Sequence, residues 1–222
     1  MQKQSSSEKG FSGALALSVP TDVGEASQRQ RIIDAMIASC AEKSYRGTTI
    51  TDIVGRARIS RTTFYKRFED KRACFDAAVT YCIELMEETA RNAHSPGDPP
   101  AEAVRKATVA ILESMAKRPA VAQLLCADAT AVDPQVVERY RSAVLPALAR
   151  LWKAAGEPRR SQLDPRLAFS RAQLLILNQV VADESDRLPE LLPEIAYLAV
   201  APFAGHAAAL EQAHLAGGGV PG

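Results

Sequence analysis

The sequence predicts an all-α fold, and three observations carry that prediction. Apolar residues recur at helical spacing from Ser27 onward. Almost no segment shows the period-two alternation of a half-buried strand. Three Asp-Pro pairs, Asp98-Pro99, Asp133-Pro134 and Asp164-Pro165, each have the form of a helix start. Aspartate there accepts from free amides, and proline at the first helical position gives up an N–H that has no partner anyway. With 222 residues, 47% of them hydrophobic and 24% charged, the chain suits one large domain or two modest ones around a sizeable core. That composition excludes a chain disordered throughout and a disulfide-stapled miniprotein. The longest apolar-looking stretch, Ala196 to Leu210, is interrupted by Pro202, Gly205 and His206. It falls short of the roughly twenty residues a membrane span needs, so no membrane partner is expected.

Residues 1–26 are rich in serine, glycine and polar residues and read as a flexible N-terminal arm. Lys3 and Lys9 precede a weakly apolar stretch, Phe11 to Val19, that imitates a signal peptide but lacks a small-x-small cleavage site. An arm on a cytoplasmic protein is the expectation. A first helix follows over 27–43, with Ile32, Ile33, Met36, Ile37 and Cys40 as its apolar stripe, and a turn at Ser44-Tyr-Arg-Gly47 ends it. Thr49-Ile-Thr-Asp52 has the form of a capping box and opens a short helix carrying Ile50, Ile53, Val54 and Ala57. After a break at Arg58-Ile59, Ser60 caps a third helix that runs to about Phe68. A long helix begins near Lys71, with Phe75, Ala78, Val79, Cys82, Leu85 and Met86 facing inward.

The loop 94–100 separates this unit from further helices expected at 99–117, between Pro119 and Thr130, and at 134–155, 165–185 and 189–213. Pro146 and Pro202 fall inside helices and predict kinks. Residues 216–222 read as a loose tail. About nine helices result, with no repeat unit. They divide into the arm 1–26, a small domain 27–72, a larger helical body 73–215, and the tail 216–222.

Charge singles out the small domain. From Ser27 to Arg72 there are 11 basic and 5 acidic residues, a net +6, whereas the whole chain carries only +1. A positive module on a mildly acidic body raises the question of nucleic acid. Two short helices three residues apart, the second strongly basic, have the outline of a helix-turn-helix, whose second helix enters the major groove. Arg61, Thr62 and Thr63 occupy its first turn, from which side chains reach base edges. Ile59, Phe64 and Phe68 recur at the spacing of an anchoring core face, while Tyr65 and Lys66 project elsewhere.

Gly47-Thr-Thr-Ile-Thr-Asp-Ile-Val54, Ala57-Arg-Ile-Ser60, Thr63-Phe-Tyr65, Phe68 and Lys71 together resemble the DNA-binding signature of the TetR family of bacterial transcriptional regulators. The match runs from about Ile33 to Phe75, roughly a fifth of the chain. The resemblance implies an N-terminal three-helix DNA-binding domain of helix-turn-helix type plus a larger helical domain that binds an effector and dimerises through its last two helices. It also implies residue roles. Thr49 caps the bracing helix and touches phosphate, Arg61, Thr62 and Thr63 face bases, and Tyr65 and Lys71 hold the DNA backbone. Arg46, Arg58 and Lys66 are basic neighbours assigned to phosphate. Three positions depart from the pattern: Ser44 replaces a usual glycine, Cys40 replaces a common aromatic, and Arg58 stands where the inter-helix turn usually has glycine. If that turn needs a positive φ, arginine costs on the order of 1 kcal/mol there.

The function expected is therefore a sequence-specific transcriptional regulator, a ligand-released repressor binding double-stranded operator DNA as a homodimer. The alternative is a helical-bundle carrier or enzyme with no DNA role. No Gly-x-Ser-x-Gly, Walker-type loop or His-Glu-x-x-His occurs, and no catalytic residue or cofactor is expected. Cys40, Cys74, Cys82 and Cys126 lie far apart among apolar neighbours and read as buried thiols, not metal ligands. Glu211-Gln-Ala-His214 is a lone Glu-x-x-His, insufficient for a di-iron site.

Two expectations concern the body. Leu174, Leu175, Ile176, Leu177, Val180 and Val181 make helix 165–185 apolar almost all round, so helices 165–185 and 189–213 are expected to build a homodimer. A mainly apolar pocket for a small effector is expected between helices, with Met86, Met115, Tyr140 and Trp152 as candidate walls. Asn178 interrupts an apolar helix and serves either that pocket or the dimer interface.

Overall fold

The computed structural model describes residues 21–156 and 161–217 of the chain. The first twenty residues of the expected arm and the last five of the expected tail lie outside these. Among the described residues the fold is all-α: ten helices and no strand. In chain order these are α1 (Thr21–Gly47), α2 (Ile50–Ala57), α3 (Arg61–Tyr65), α4 (Lys71–Asn92), α5 (Pro100–Lys117), α6 (119–132), α7 (Gln135–Ala154), α8 (Pro165–Val181), α9 (Leu192–Ala204) and α10 (His206–Ala216). A 3₁₀ segment, Ser185–Leu191, joins α8 to α9. The middle of α6, Gln123–Asp128, is wound as a π-helix, which accommodates an extra residue per turn.

Several boundaries differ from those the sequence suggests. Helix α1 starts at Thr21, six residues into the expected arm. Polar composition misleads here, because Thr21 to Ser27 holds no proline and one glycine to stop a helix stabilised by the stripe downstream. Helix α3 ends at Tyr65, not Phe68, and α8 at Val181, not 185. Of the three Asp-Pro pairs, Asp164 caps as expected, accepting from the amide of Arg166 at 2.8 Å. Asp133 accepts from the amide of Gln135, and α7 begins one residue late. Asp98 turns away instead, accepting from the amide of Ser95 and the ammonium of Lys106, both at 2.9 Å. The helix expected over 189–213 is divided between the 3₁₀ segment, α9 and α10. Gly205 makes the break between the last two, with φ 85° and ψ 178°, a region that residues bearing a Cβ adopt only under strain.

The largest core cluster joins α1, α2, α3 and α4 to α6 and extends to Val180 and Leu188. Ile32, Ile33, Met36, Ile53, Phe64 and Phe75 are fully enclosed in it. Packing is therefore continuous across residues 72 and 73: Cys74 and Phe75 of α4 belong to the same core as the short helices. Two smaller clusters organise the rest. One holds Trp152, Val200 and Phe203, the other Leu112, Leu192 and Ile195. Helix α7 is seated differently from its neighbours. Val136 at one end and Trp152 at the other are buried, and none of the described residues between them is.

Candidate nucleic-acid interface and internal cavity

The turn around Thr49 is built by local chemistry. Thr49 Oγ1 accepts from the amide of Asp52, and the Asp52 carboxylate accepts from the amide and hydroxyl of Thr49, completing the reciprocal box. Lys43 donates to the same carboxylate at 2.6 Å. That contact and the Thr49 bonds hold the Asp52 carboxyl well below the usual carboxylate range. Helix α2 ends on Arg58 at φ 52° and ψ 52°, the left-handed conformation for which glycine is the usual choice. Ser60 then caps α3, its hydroxyl accepting from the amide of Thr63 at 3.0 Å. Phe64 buries the inner face of α3, and Phe68 follows beneath it.

The nine expected contact residues sort clearly in this frame. Arg46, Thr49, Arg58, Arg61, Thr62, Tyr65 and Lys66 are exposed, and Thr63 is half-buried. Lys43 and Arg56 pair with Asp52 and Glu42 on α1 and α2, so those two cations are neutralised. The positive surplus thus collects at Arg46, Arg58, Arg61 and Lys66. Arg61 is steadied by a bond to the Thr51 hydroxyl at 2.9 Å, a partner on α2 that sequence spacing did not reveal. Tyr65 is 54% exposed with its ring edge against Phe64.

Lys71 departs from its expected role. Its ammonium donates to the carbonyls of Tyr45 and Thr48, both at 2.9 Å, and lies 4.1 Å from the Tyr45 ring centroid. It is half-buried and occupied inside the fold, strapping α4 to the α1–α2 junction instead of facing outward. The same junction holds a second departure. Ser44 sits at φ 57° and ψ 168°, a conformation essentially reserved for glycine. Thr48 restores order around it by donating its hydroxyl to the Ser44 carbonyl at 2.8 Å. Asp128, at the end of the π segment of α6, accepts from the amide of Tyr45 at 2.8 Å. Burial pushes its carboxyl above the usual range, outweighing that bond and the contact with the Gln123 side chain.

Between α4, α5, α7, α8 and α9 lies a cavity of about 530 Å³. Its walls are mostly apolar, with Ile111, Leu148, Phe169, Ile176 and Leu198 prominent. Thr108, Gln173 and, near the end of α4, Arg91 and His94 add polar groups. Of the five residues suggested by sequence, Met86 and Tyr140 line this space. Desolvation pushes the Tyr140 phenol up to about 12, so it stays neutral and able to donate. Met115 does not line it; it packs into the main core. Trp152 stacks on Phe203 in a separate cluster, ring centroids 4.9 Å apart. Asn178 is exposed, on the outer face of α8. Spacing along a helix tells which residues share a face but not which neighbour that face meets.

The outer face of α8 is unusual for a single chain. Leu167, Leu174 and Val181 are each at least half exposed, and they follow one another at seven-residue intervals, with Arg171 and Asn178 between. Leu210 and Leu215 are exposed on α10. Leu175, Leu177 and Ile176 are only half-buried, and Val180 alone of the expected set is fully enclosed. All four cysteines are free thiols, pushed up to about 12 by burial. Among the described residues no cluster of metal-ligating side chains occurs, and no helix is long and apolar enough to cross a membrane.

Residues 32–78, which hold the capped helices and their anchoring core, match the family described as bacterial regulatory proteins, tetR family. The negative transcriptional regulator IcaR of the biofilm operon icaADBC in Staphylococcus aureus is 31% identical over 58 residues, 26% of this chain. The aligned segment spans about a third of that relative's length, 31%. The uncharacterised HTH-type transcriptional regulator YhgD of Bacillus subtilis is 30% identical over 86 residues, 39% of this chain and 45% of its own. Solved structures share the whole architecture at lower identity. The fatty acid degradation regulator FadR of Bacillus halodurans superposes with a TM-score of 0.66 at 19% identity, covering 78% of this chain and 94% of its own. FadR of Bacillus subtilis, solved in complex with stearoyl-CoA, gives 0.61 at 19% identity over 79% of this chain and 98% of its own. Over residues 32–78 the chain is thus similar to the tetR family of bacterial regulatory proteins, and its helical fold is shared with these solved structures.

Proposed function

We propose that this protein is a sequence-specific, DNA-binding transcriptional regulator, a repressor that occupies operator DNA as a homodimer and leaves it when a small, mainly apolar effector binds the body. The observation that carries the reading is the capped pair α2–α3. Its outer surface gathers Arg46, Arg58, Arg61 and Lys66 while neighbouring cations are paired off. In this reading Arg61, Thr62 and Thr63 face base edges in the major groove. Thr49, Tyr65, Arg46, Arg58 and Lys66 hold phosphates. The name of the staphylococcal relative, a negative regulator, supports repression. The body supplies the effector site in the cavity lined by Met86 and Tyr140, and the bound acyl-CoA in a structure of the same fold supports a ligand of apolar character. The exposed stripe on α8 supports the dimer, whose two-fold axis calls for a pseudo-palindromic operator with half-sites roughly 34–36 Å apart. A cytoplasmic setting follows from DNA as the partner.

Selection of bound fragments from the native genome, followed by gel shift, tests this directly. Arg61→Ala is expected to weaken operator binding by about 1–3 kcal/mol and to relax base preference, while nonspecific binding changes little. Selection that recovers no common sequence, or operator affinity unmoved by the substitution, rejects the assignment.

A further inference from the structure

The cavity just assigned to the effector has a neighbour. On the adjoining flank of α7 a second cavity, of about 580 Å³, opens between α7, the start of α8 and the end of α9. Leu145, Pro165 and Phe203 line both, so the two adjoin. The second cavity differs from the first in its unspent polar groups. Trp152 lines it, is 3% exposed, and has an indole Nε1 with no hydrogen-bond acceptor. Arg141 lines it too, and its Nε likewise lacks a partner although the end of its guanidinium pairs with Glu138. Among the described residues, the carboxylates on the wall each already accept a bond. Glu138 takes Arg141 and Ser142, and Asp164 takes the amide of Arg166. Two further cations, Lys153 and Arg166, stand exposed at the rim, with no ion pair to a described residue. Among the described lining residues three cations face two carboxylates, so donors and positive charge are in excess. Buried indole N–H groups find an acceptor in nearly all folded proteins, so the missing partner is informative.

We propose that this second cavity holds the anionic end of the effector. A carboxylate or phosphate accepts from Trp152 Nε1 between Lys153 and Arg166, and the apolar remainder of the molecule lies in the adjoining larger cavity. The effector is then an anionic amphiphile, not a neutral apolar compound. This rests on the reading of the larger cavity as the effector site, and the two can be tested apart.

Trp152 is the chain's single tryptophan, so its emission reports on its own surroundings, and the rim substitutions below tie a change to this cavity. The full-length protein would be titrated with dodecanoate, dodecyl phosphate and dodecanol, each below its aggregation concentration. Tryptophan emission and melting temperature would be followed together. One of the anions is expected to change the emission and to bind at least roughly tenfold more tightly than the alcohol, as a charge-assisted hydrogen bond provides. Preference for dodecanoate identifies a free acid, and preference for dodecyl phosphate a phosphorylated head group. The double substitution Lys153→Gln, Arg166→Gln alters only rim residues. It is expected to reduce anion binding to the level of dodecanol and leave dodecanol itself unchanged. Equal binding of all three without an emission change overturns the head-group site while the larger cavity keeps its role, and so does anion binding indifferent to the double substitution. Failure of all three to bind overturns both readings.

Discussion

Two residues sit where their side chains are a liability. Ser44 and Arg58 both hold positive φ, at the ends of α1 and α2, and both stand where the family resemblance led one to expect glycine. Such conformations cost a residue with a Cβ on the order of 1–3 kcal/mol, offset in part by the greater unfolded-chain entropy of glycine. Ser44→Gly and Arg58→Gly are therefore each expected to raise stability by about 1 kcal/mol in thermal melts. They should differ on DNA. Ser44→Gly leaves operator affinity alone, whereas Arg58→Gly removes one phosphate contact and lowers the slope of log affinity against log salt by about 1. Lys71 is the opposite case, a charged side chain whose value lies in the fold. Lys71→Met forfeits two bonds to carbonyls and the contact with Tyr45, and is expected to cost about 2–3 kcal/mol. At temperatures where the variant stays folded, the salt dependence of DNA binding should not change. A flattened salt slope would return Lys71 to the phosphate contacts.

Elements whose ends are fixed by neighbouring residues were the most legible. The Thr49–Asp52 box and the Ser60 cap are chemistry over three residues, so sequence alone placed α2 and the start of α3. Asp164-Pro165 read correctly for the same reason, and Asp98 failed because Lys106, eight residues on, competes for its carboxylate. The contacts that position α1 against the body, by contrast, cross long sequence distances. Asp128 reaches Tyr45 over 83 residues, and nothing in Leu-Leu-Cys-Ala-Asp marks that acid as different from a surface one. Its burial has a measurable sign. The folded chain holds Asp128 above the ordinary value of about 3.9, so the carboxyl's contribution to stability is greatest below that pH. It is lost as pH rises through the higher folded value. Asp128→Asn keeps an oxygen for the Tyr45 amide and abolishes the titration. It should flatten the stability profile between pH 4 and neutrality, melting at pH 7 no lower than the parent. Asp128→Ala should lose about 1–3 kcal/mol by orphaning that amide. A parent-minus-variant difference that does not fall as pH rises across this range would contradict the assignment.

For the whole molecule, the exposed apolar face of α8 supports the proposed assembly. Leu167, Leu174 and Val181 form a seam of the period that lets helices pack side by side, and a second copy is the self-complementary cover. Leu174→Glu with Val181→Glu is expected to yield folded monomers by sedimentation at micromolar concentration. Operator affinity should fall with them, since each half-site then binds alone. A dimer that survives both charges would move the interface elsewhere. Sequence disclosed that α8 was too apolar to face water, yet it could not say which flank the body would cover. That is why Asn178 was left between pocket and interface, and Trp152 was grouped with residues of a different cavity.

The π segment of α6 has a consequence for how the two halves of the protein are phased. An α-helix advances about 100° per residue, so one residue accommodated in a wider turn resets the angular position of everything after it. Asp128 lies at the end of that segment, and its azimuth is what lets a carboxylate carried by the body meet the amide of Tyr45. Were Gln123–Asp128 to rewind as plain α-helix, Asp128 would swing about a quarter-turn off target and the α1–α2 junction would lose its hold on the body. The winding of this one turn thus fixes the rotational register between the α1–α2 junction and the body, and that register can change only by whole-residue steps.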